Sequence, residues 1–155
     1  MARRKRRSLN ETLQRIKATG LREPPRTLPP EDQLPLLTDR IPRILGILRA
    51  APKKATEMVY LVMYDITDDR VRRAVADYLL REGSVRIQKS VYLLRSDNRR
   101  FEEIHQTLRE VNDAYANTDS IILVPVNSSD VRAMQLIGQN VDIQLITDPP
   151  NTLFF

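Results

Sequence analysis

The sequence predicts an α+β domain carried behind a basic, partly helical arm, and three observations predict it. The first is Met58 to Asp65, Met-Val-Tyr-Leu-Val-Met-Tyr-Asp, in which seven apolar or aromatic residues run into a carboxylate. A run this short, rich in valine and tyrosine, reads as a central strand buried on both faces. The second is the alternation of such strand patterns with two amphipathic helical patterns over the rest of the chain. The third is a partition of charge and proline. Residues 1–57 hold 14 Lys and Arg against 6 Asp and Glu, and 7 of the 10 prolines, whereas residues 58–155 hold 11 basic against 14 acidic residues. The chain therefore divides into a basic, proline-punctuated arm (1–57) and a slightly acidic domain (58–155).

In the arm, Ser8-Leu9-Asn10-Glu11 has the capping-box pattern, and Leu9, Leu13 and Ile16 follow at helical spacing before Gly20. Pro24, Pro25, Pro29, Pro30 and Pro35 make the next stretch extended. A second helix is expected from Thr38 or Asp39, with Pro42 in its first turn and Ile41, Ile44, Leu45 and Leu48 on one face. In the domain, Thr67 or Asp68 caps a helix running to about Glu82, with Val71, Ala74, Val75, Tyr78 and Leu79 facing the core and Gly83 ending it. Residues 86–88 and 90–94 read as extended with no turn signal between them. One long bent strand, or two joined by a bulge near Lys89, is expected there. Ser96 or Asp97 caps another helix with the stripe Phe101, Ile104, Leu108, Val111 and Tyr115, and strands follow at 120–126 and 141–146. Strand, helix, strand, strand, helix, strand is the ferredoxin-like order, here with an extra C-terminal strand. In that fold the helices cover one face of the sheet. Residues 59–64 and 121–126 are apolar at nearly every position, so the other face also calls for cover, and a second copy of the sheet is the simplest one. A face-to-face homodimer is the expectation.

Composition excludes several chemistries. There is no cysteine, hence no disulfide, thiolate site or thiol nucleophile, and the single histidine, His105, excludes a multi-histidine metal site or a histidine relay. His105 lies beside a core stripe and reads as structural. No apolar run approaches the roughly 18 residues of a membrane span. Arg3, Arg4, Lys5, Arg6 and Arg7 begin the chain like a signal or transit peptide, but no apolar segment follows, so an intracellular, cytoplasmic protein is expected. This run, and the arm's charge, point to nucleic acid or an acidic partner surface.

Burying an ionised carboxylate is costly, so Asp65 is expected at the strand's mouth, where a cation can reach it. It reads either as a magnesium ligand or as a strand-end group capping the next helix. Asp68 and Asp69 suit the helix dipole. Arg70, Arg72 and Arg73 oppose that dipole, so helix stability does not explain them. Phosphate binding at the helix start does. Arg86, Lys89 and Arg95 either extend a phosphate track or blunt a sheet edge.

Three segments carry a family resemblance: Tyr64-Asp65-Ile66; Arg70-Val71-Arg72-Arg73; and Gly83-Ser84-Val85-Arg86-Ile87-Gln88-Lys89-Ser90-Val91-Tyr92. Over about residues 58–148 the chain resembles the small CRISPR-associated adaptation protein, the Cas-two family. The resemblance implies a prokaryotic ferredoxin-like homodimer that bridges subunits of the Cas-one integrase. It would hold foreign DNA for insertion at the CRISPR repeat and leader. It also implies an assigned metal-dependent endonuclease activity on RNA or DNA, with Asp65 as the Mg2+ ligand and Arg70, Arg72 and Arg73 facing phosphates. Residues 1–57 depart from the family, whose members begin near Met58. An early start codon and a tethered docking arm are the two readings, and the capping box with its helical stripes favours the arm. One carboxylate per chain, with no histidine or lysine close to it in sequence, leaves no obvious general base. The expectation is therefore a DNA-binding scaffold. A Mg2+-dependent endonuclease, including a toxin-type ribonuclease of the same fold, is the alternative.

Overall fold

A computed structural model describes residues 7–18, 37–49 and 57–127. Four antiparallel strands make one sheet in the order β2-β3-β1-β4, from β1 (Glu57–Asp65), β2 (Val85–Gln88), β3 (Val91–Asp97) and β4 (Ser120–Val126). Helices α3 (Asp69–Arg81) and α4 (Asn98–Asp113) occupy the two crossovers, which is the ferredoxin-like βαββαβ arrangement. The expected strand at 141–146 lies outside the described residues.

The register explains why β1 is apolar at almost every position. Val62 and Tyr64 face the helices, in a core with Val71, Val75, Leu79, Ile104 and Leu108. Val59 and Leu61 face the other way, in a second core with Ile87, Leu93 and Ile44. Both faces are buried, but the expected cover is corrected. Over the β2–β3 half, the second face is covered by α2 (Leu37–Arg49) of the same chain, whose Ile44 is 1% exposed among these residues. The remaining strip is less covered. Met63 pairs across the ladder with Ile122, which is 51% exposed, and Leu61 pairs with Val124. Helix α2 begins at Leu37, so Pro42 falls in its second turn and one backbone hydrogen bond is omitted there.

The first arm helix, α1 (Leu9–Ala18), packs on the outer surface of the α3/α4 layer through Leu13 and Ile16. Its capping box closes as the sequence predicts. Ser8 N donates to Glu11 Oε2 at 3.0 Å and Glu11 N to Ser8 Oγ at 3.2 Å. Its last carbonyls are held by Arg81, which donates to Ile16 O at 2.7 Å and to Lys17 O. Arg15 Nη1 reaches Glu110 at 2.9 Å. The arm thus clasps the domain on both sides.

Helix α3 ends where expected. Gly83 adopts φ 89°, a left-handed conformation that favours glycine, while Gly83 N and Ser84 N close the last turn on Leu80 O and Leu79 O. Residues 85–97 are a second correction. They are two strands, as the second of the two readings had it, but joined by a turn at Lys89–Ser90, with the bulge at Ile87. No glycine, proline or asparagine marks the turn. Arg86 folds over it instead, donating from Nε and Nη2 to Lys89 O at 3.0 and 2.7 Å. Beneath the hairpin, Glu82 is fully buried and receives two hydrogen bonds from Arg100, one of them from Nε at 2.7 Å. Burial opposes the Arg100 charge, but Glu82 and Glu103 more than offset it and raise its pKa.

Candidate metal and nucleic-acid site at the end of the sheet

Strand β1 delivers Asp65 to the end of the sheet, exposed, as the cost of burying a carboxylate requires. Its ladder partner is Ser120, the first residue of β4. On the other side, Tyr64 N donates to Ser90 O at 3.1 Å, which ties the β2–β3 turn to the same end. Among the described residues, no hydrogen bond or ion pair takes up the Asp65 carboxylate.

The neighbouring carboxylates are all engaged. Asp68, not Asp65, caps α3, accepting from Arg70 N at 2.9 Å and Val71 N at 3.1 Å. These backbone donors hold its pKa below the ordinary carboxylate value, the Val71 amide contributing most. Asp69 is paired with Arg72. Asp119, which the sequence reading did not single out, accepts from Thr67 N at 3.1 Å and from the Tyr115 hydroxyl. The Tyr115 hydrogen bond is the main reason its pKa lies low. Tyr115 is correspondingly raised, by burial first and then by the Asp119 carboxylate. No period, cap or charge run marks a lone Asp before a strand. Its role arises only when the α4–β4 connection meets the β1–α3 loop.

The basic residues expected along a phosphate track are sorted by the fold. Arg70 is exposed beside the tip, 3.6 Å from Asp68. Arg72 instead turns back into the loop, donating to Ile66 O at 3.2 Å and Thr67 O at 3.4 Å, so its present work is to hold backbone. Arg73 is exposed on α3. Arg86 is folded over its own turn and lies over the Tyr92 ring at 5.9 Å, while Lys89 is exposed at that turn, close to the tip of β1. Arg95 is separated from the rest. It pairs with Val59, six residues from Asp65 and about 20 Å away along the strand. Arg7 is exposed and pairs with Glu110 at 3.7 Å, on the helical side, whereas residues 3–6 lie outside the described residues. His105 stacks with Phe101, ring centroids 6.4 Å apart, and stands on α4 away from the tip.

Residues 58–134 match the family model described as CRISPR associated protein Cas2. Curated relatives bear the same name. The "CRISPR-associated endoribonuclease Cas2" of Korarchaeum cryptofilum is 35% identical over 51% of this chain and 83% of its own length. That of Aeropyrum pernix is 33% identical over 55% of this chain and 91% of its own. The "CRISPR-associated endoribonuclease Cas2 3" of a Synechocystis strain is 28% identical over 61% and 96%. The Asp65 tip and the Gly83–Tyr92 hairpin lie inside the segment matched by the family model. The chain belongs to the CRISPR-associated Cas2 family.

Proposed function

We propose that this chain is a metal-dependent nuclease of CRISPR adaptation, acting on RNA or DNA, with Asp65 as its metal ligand. The observation that carries the reading is the exposed Asp65 carboxylate, untaken among the described residues while Asp68, Asp69 and Asp119 are all spoken for. The naming of the relatives as endoribonucleases supports it.

The donor set suits magnesium, which keeps several waters and takes one or two protein carboxylates. Among the described residues there is no group of three or more His, Asp or Glu side chains placed to hold a metal, so a second carboxylate would come from the Asp65 of a second copy. A magnesium ion there would offset phosphate charge and acidify a bound water. The chain's own residues would supply orientation. Arg70 and Lys89, exposed on either side of the tip, would seat the phosphate backbone, and the clamped 65–67 segment would hold the ligand still.

A second reading is the adaptation scaffold, a homodimer that bridges Cas-one integrase subunits and holds double-stranded DNA for insertion. The scarcity of acid and base groups at the tip favours it: Asp65 is the carboxylate there that no described residue engages, and the one histidine of the chain stands on α4. A prokaryotic cytoplasmic setting goes with either role, and no described helix is long and apolar enough to cross a membrane. Asp65→Asn separates them. Asn keeps the shape and removes the charge, and the fold does not depend on this exposed group. Cleavage of RNA or DNA in Mg2+ should fall at least a hundredfold while nucleic-acid binding stays within about threefold, since a catalytic metal contributes several kcal/mol of transition-state stabilisation. Insertion by the integrase complex should persist if bridging is a separate role. Undiminished cleavage would overturn the nuclease reading.

A further inference from the structure

We propose that Asp119 and Tyr115 position the Asp65 carboxylate, acting through the peptide that follows it. This inference rests on the reading of Asp65 as the metal ligand. Asp65 is the last residue of its strand, where a ladder ordinarily frays, yet the two residues after it are gripped from both sides. On one side Asp119 Oδ1 accepts from Thr67 N at 3.1 Å, while Asp119 Oδ2 accepts from the Tyr115 hydroxyl. The next residue, Ser120, is the ladder partner of Asp65, so Asp119 is fastened to the tip twice within one turn of chain. On the other side Arg72 Nη1 donates to Ile66 O and Thr67 O. Every backbone polar group of Thr67 is therefore occupied.

The support itself is supported. Asp119 N donates to Asn117 Oδ1 at 2.9 Å, and Asn117 Nδ2 donates to Asn112 O and Tyr115 O, each at 2.9 Å. A bend leading from a helix into a strand does not need this much. Helix α3 does not need it either, because Asp68 alone caps it. What the network adds is a fixed direction for the one carboxylate at the tip. Groups that orient a metal ligand from behind commonly change metal affinity by 10–100-fold when removed.

The test uses the full chain with Mn2+ as the probe, titrated by calorimetry and by the broadening of backbone resonances around Asp65, alongside amide hydrogen exchange at Thr67. Asp119→Ala should weaken Mn2+ binding roughly tenfold and speed exchange at Thr67 by about the same factor. Asp119→Asn, whose oxygen can still accept from Thr67 N, should recover most of both. Tyr115→Phe, which removes one hydroxyl from an otherwise intact ring, should give a smaller loss in the same direction and reads the network even where Asp119→Ala folds poorly. Asp65→Asn should abolish Mn2+ binding with Thr67 exchange unchanged. If Asp65→Asn loses the metal while Asp119→Ala and Tyr115→Phe bind it as the wild type does, positioning is overturned and the ligand assignment stands. If Asp65→Asn binds Mn2+ as well as the wild type, or the wild type binds none, the ligand assignment itself falls.

Discussion

Four carboxylates crowd the start of α3 and its approach; Asp69 is paired with Arg72, and what separates the other three is hydrogen bonding, not charge. Asp68 receives two backbone amides, Asp119 receives an amide and a phenol, and Asp65 receives none among the described residues. Donors to an ionised carboxylate stabilise it and lower its pKa. A carboxyl whose pKa is lower folded than unfolded adds stability that is present above its unfolded value, here 3.8, and lost as the pH falls through the folded value. Asp68→Ala should therefore lower the melting temperature at pH 7, since it removes the acceptor that caps α3. The gap to the wild type should close in melts taken below pH 3. A gap that persists unchanged at pH 2 would show that the cap is not acting through its charge. The Arg72 side chain gives the complementary lesson: a helix-start arginine that sequence reasoning assigns to phosphate is, in this fold, bonded to the carbonyls before the helix.

At the scale of elements, helices α1, α3 and α4 and strands β1 and β4 were legible because each carries its own local signal: a capping residue, a 3.6-residue stripe, or an unbroken apolar run. The extended character of β2 and β3 was legible too, but the turn between them was not, because it is held by a side chain. Arg86 supplies the hydrogen bonds to Lys89 O that an Asn-Gly turn would otherwise make unnecessary. The position of α2 was not legible either. Its stripe says that it buries a face but not where, and the face it takes was expected to be covered by another molecule. Arg40 helps to lock it there, buried beside the edge strand and donating to the carbonyl of Ile87, the residue the bulge leaves out of the ladder. Burial and the neighbouring Arg86 charge lower the Arg40 pKa, so this contact carries an electrostatic cost that the apolar packing must offset. Ile44→Asp should undock α2 by placing a carboxylate against Ile87 and Leu93, a destabilisation of about 3 kcal/mol. Amide exchange in β2 should rise while that in α3 and β1 stays protected. Uniform loss of protection would instead make α2 part of the domain's single cooperative unit.

For the whole molecule, the question is how much of the sheet remains for a partner. Helix α2 removes the β2–β3 half of the second face and leaves the strip of Leu61, Met63, Ile122 and Val124 along β1 and β4. A shared metal site requires a two-fold pairing over that strip that brings the Asp65 ends of both copies together. Light scattering of the full chain at micromolar concentration should give twice the monomer mass, and Ile122→Glu should return it to the monomer mass with melting temperature barely changed. A wild-type monomer would remove the shared site and leave Asp65 with water as its sole companion ligand source among the described residues.

What the sequence determined by itself was the content of each layer: which segments are helix or strand, that β1 is buried on both faces, and that Asp65 must surface at its end. These follow from periodicity and from the cost of burying charge, both local properties. What the tertiary structure decided was adjacency. It put α2 rather than a second copy of the chain on the β2–β3 half of the second face, sent Arg95 to the far end of the sheet from Asp65, and set Asp119 behind the tip with 51 residues between it and Thr67. Such contacts join residues far apart in the chain, and no periodicity records them. They exist only once the strands have paired.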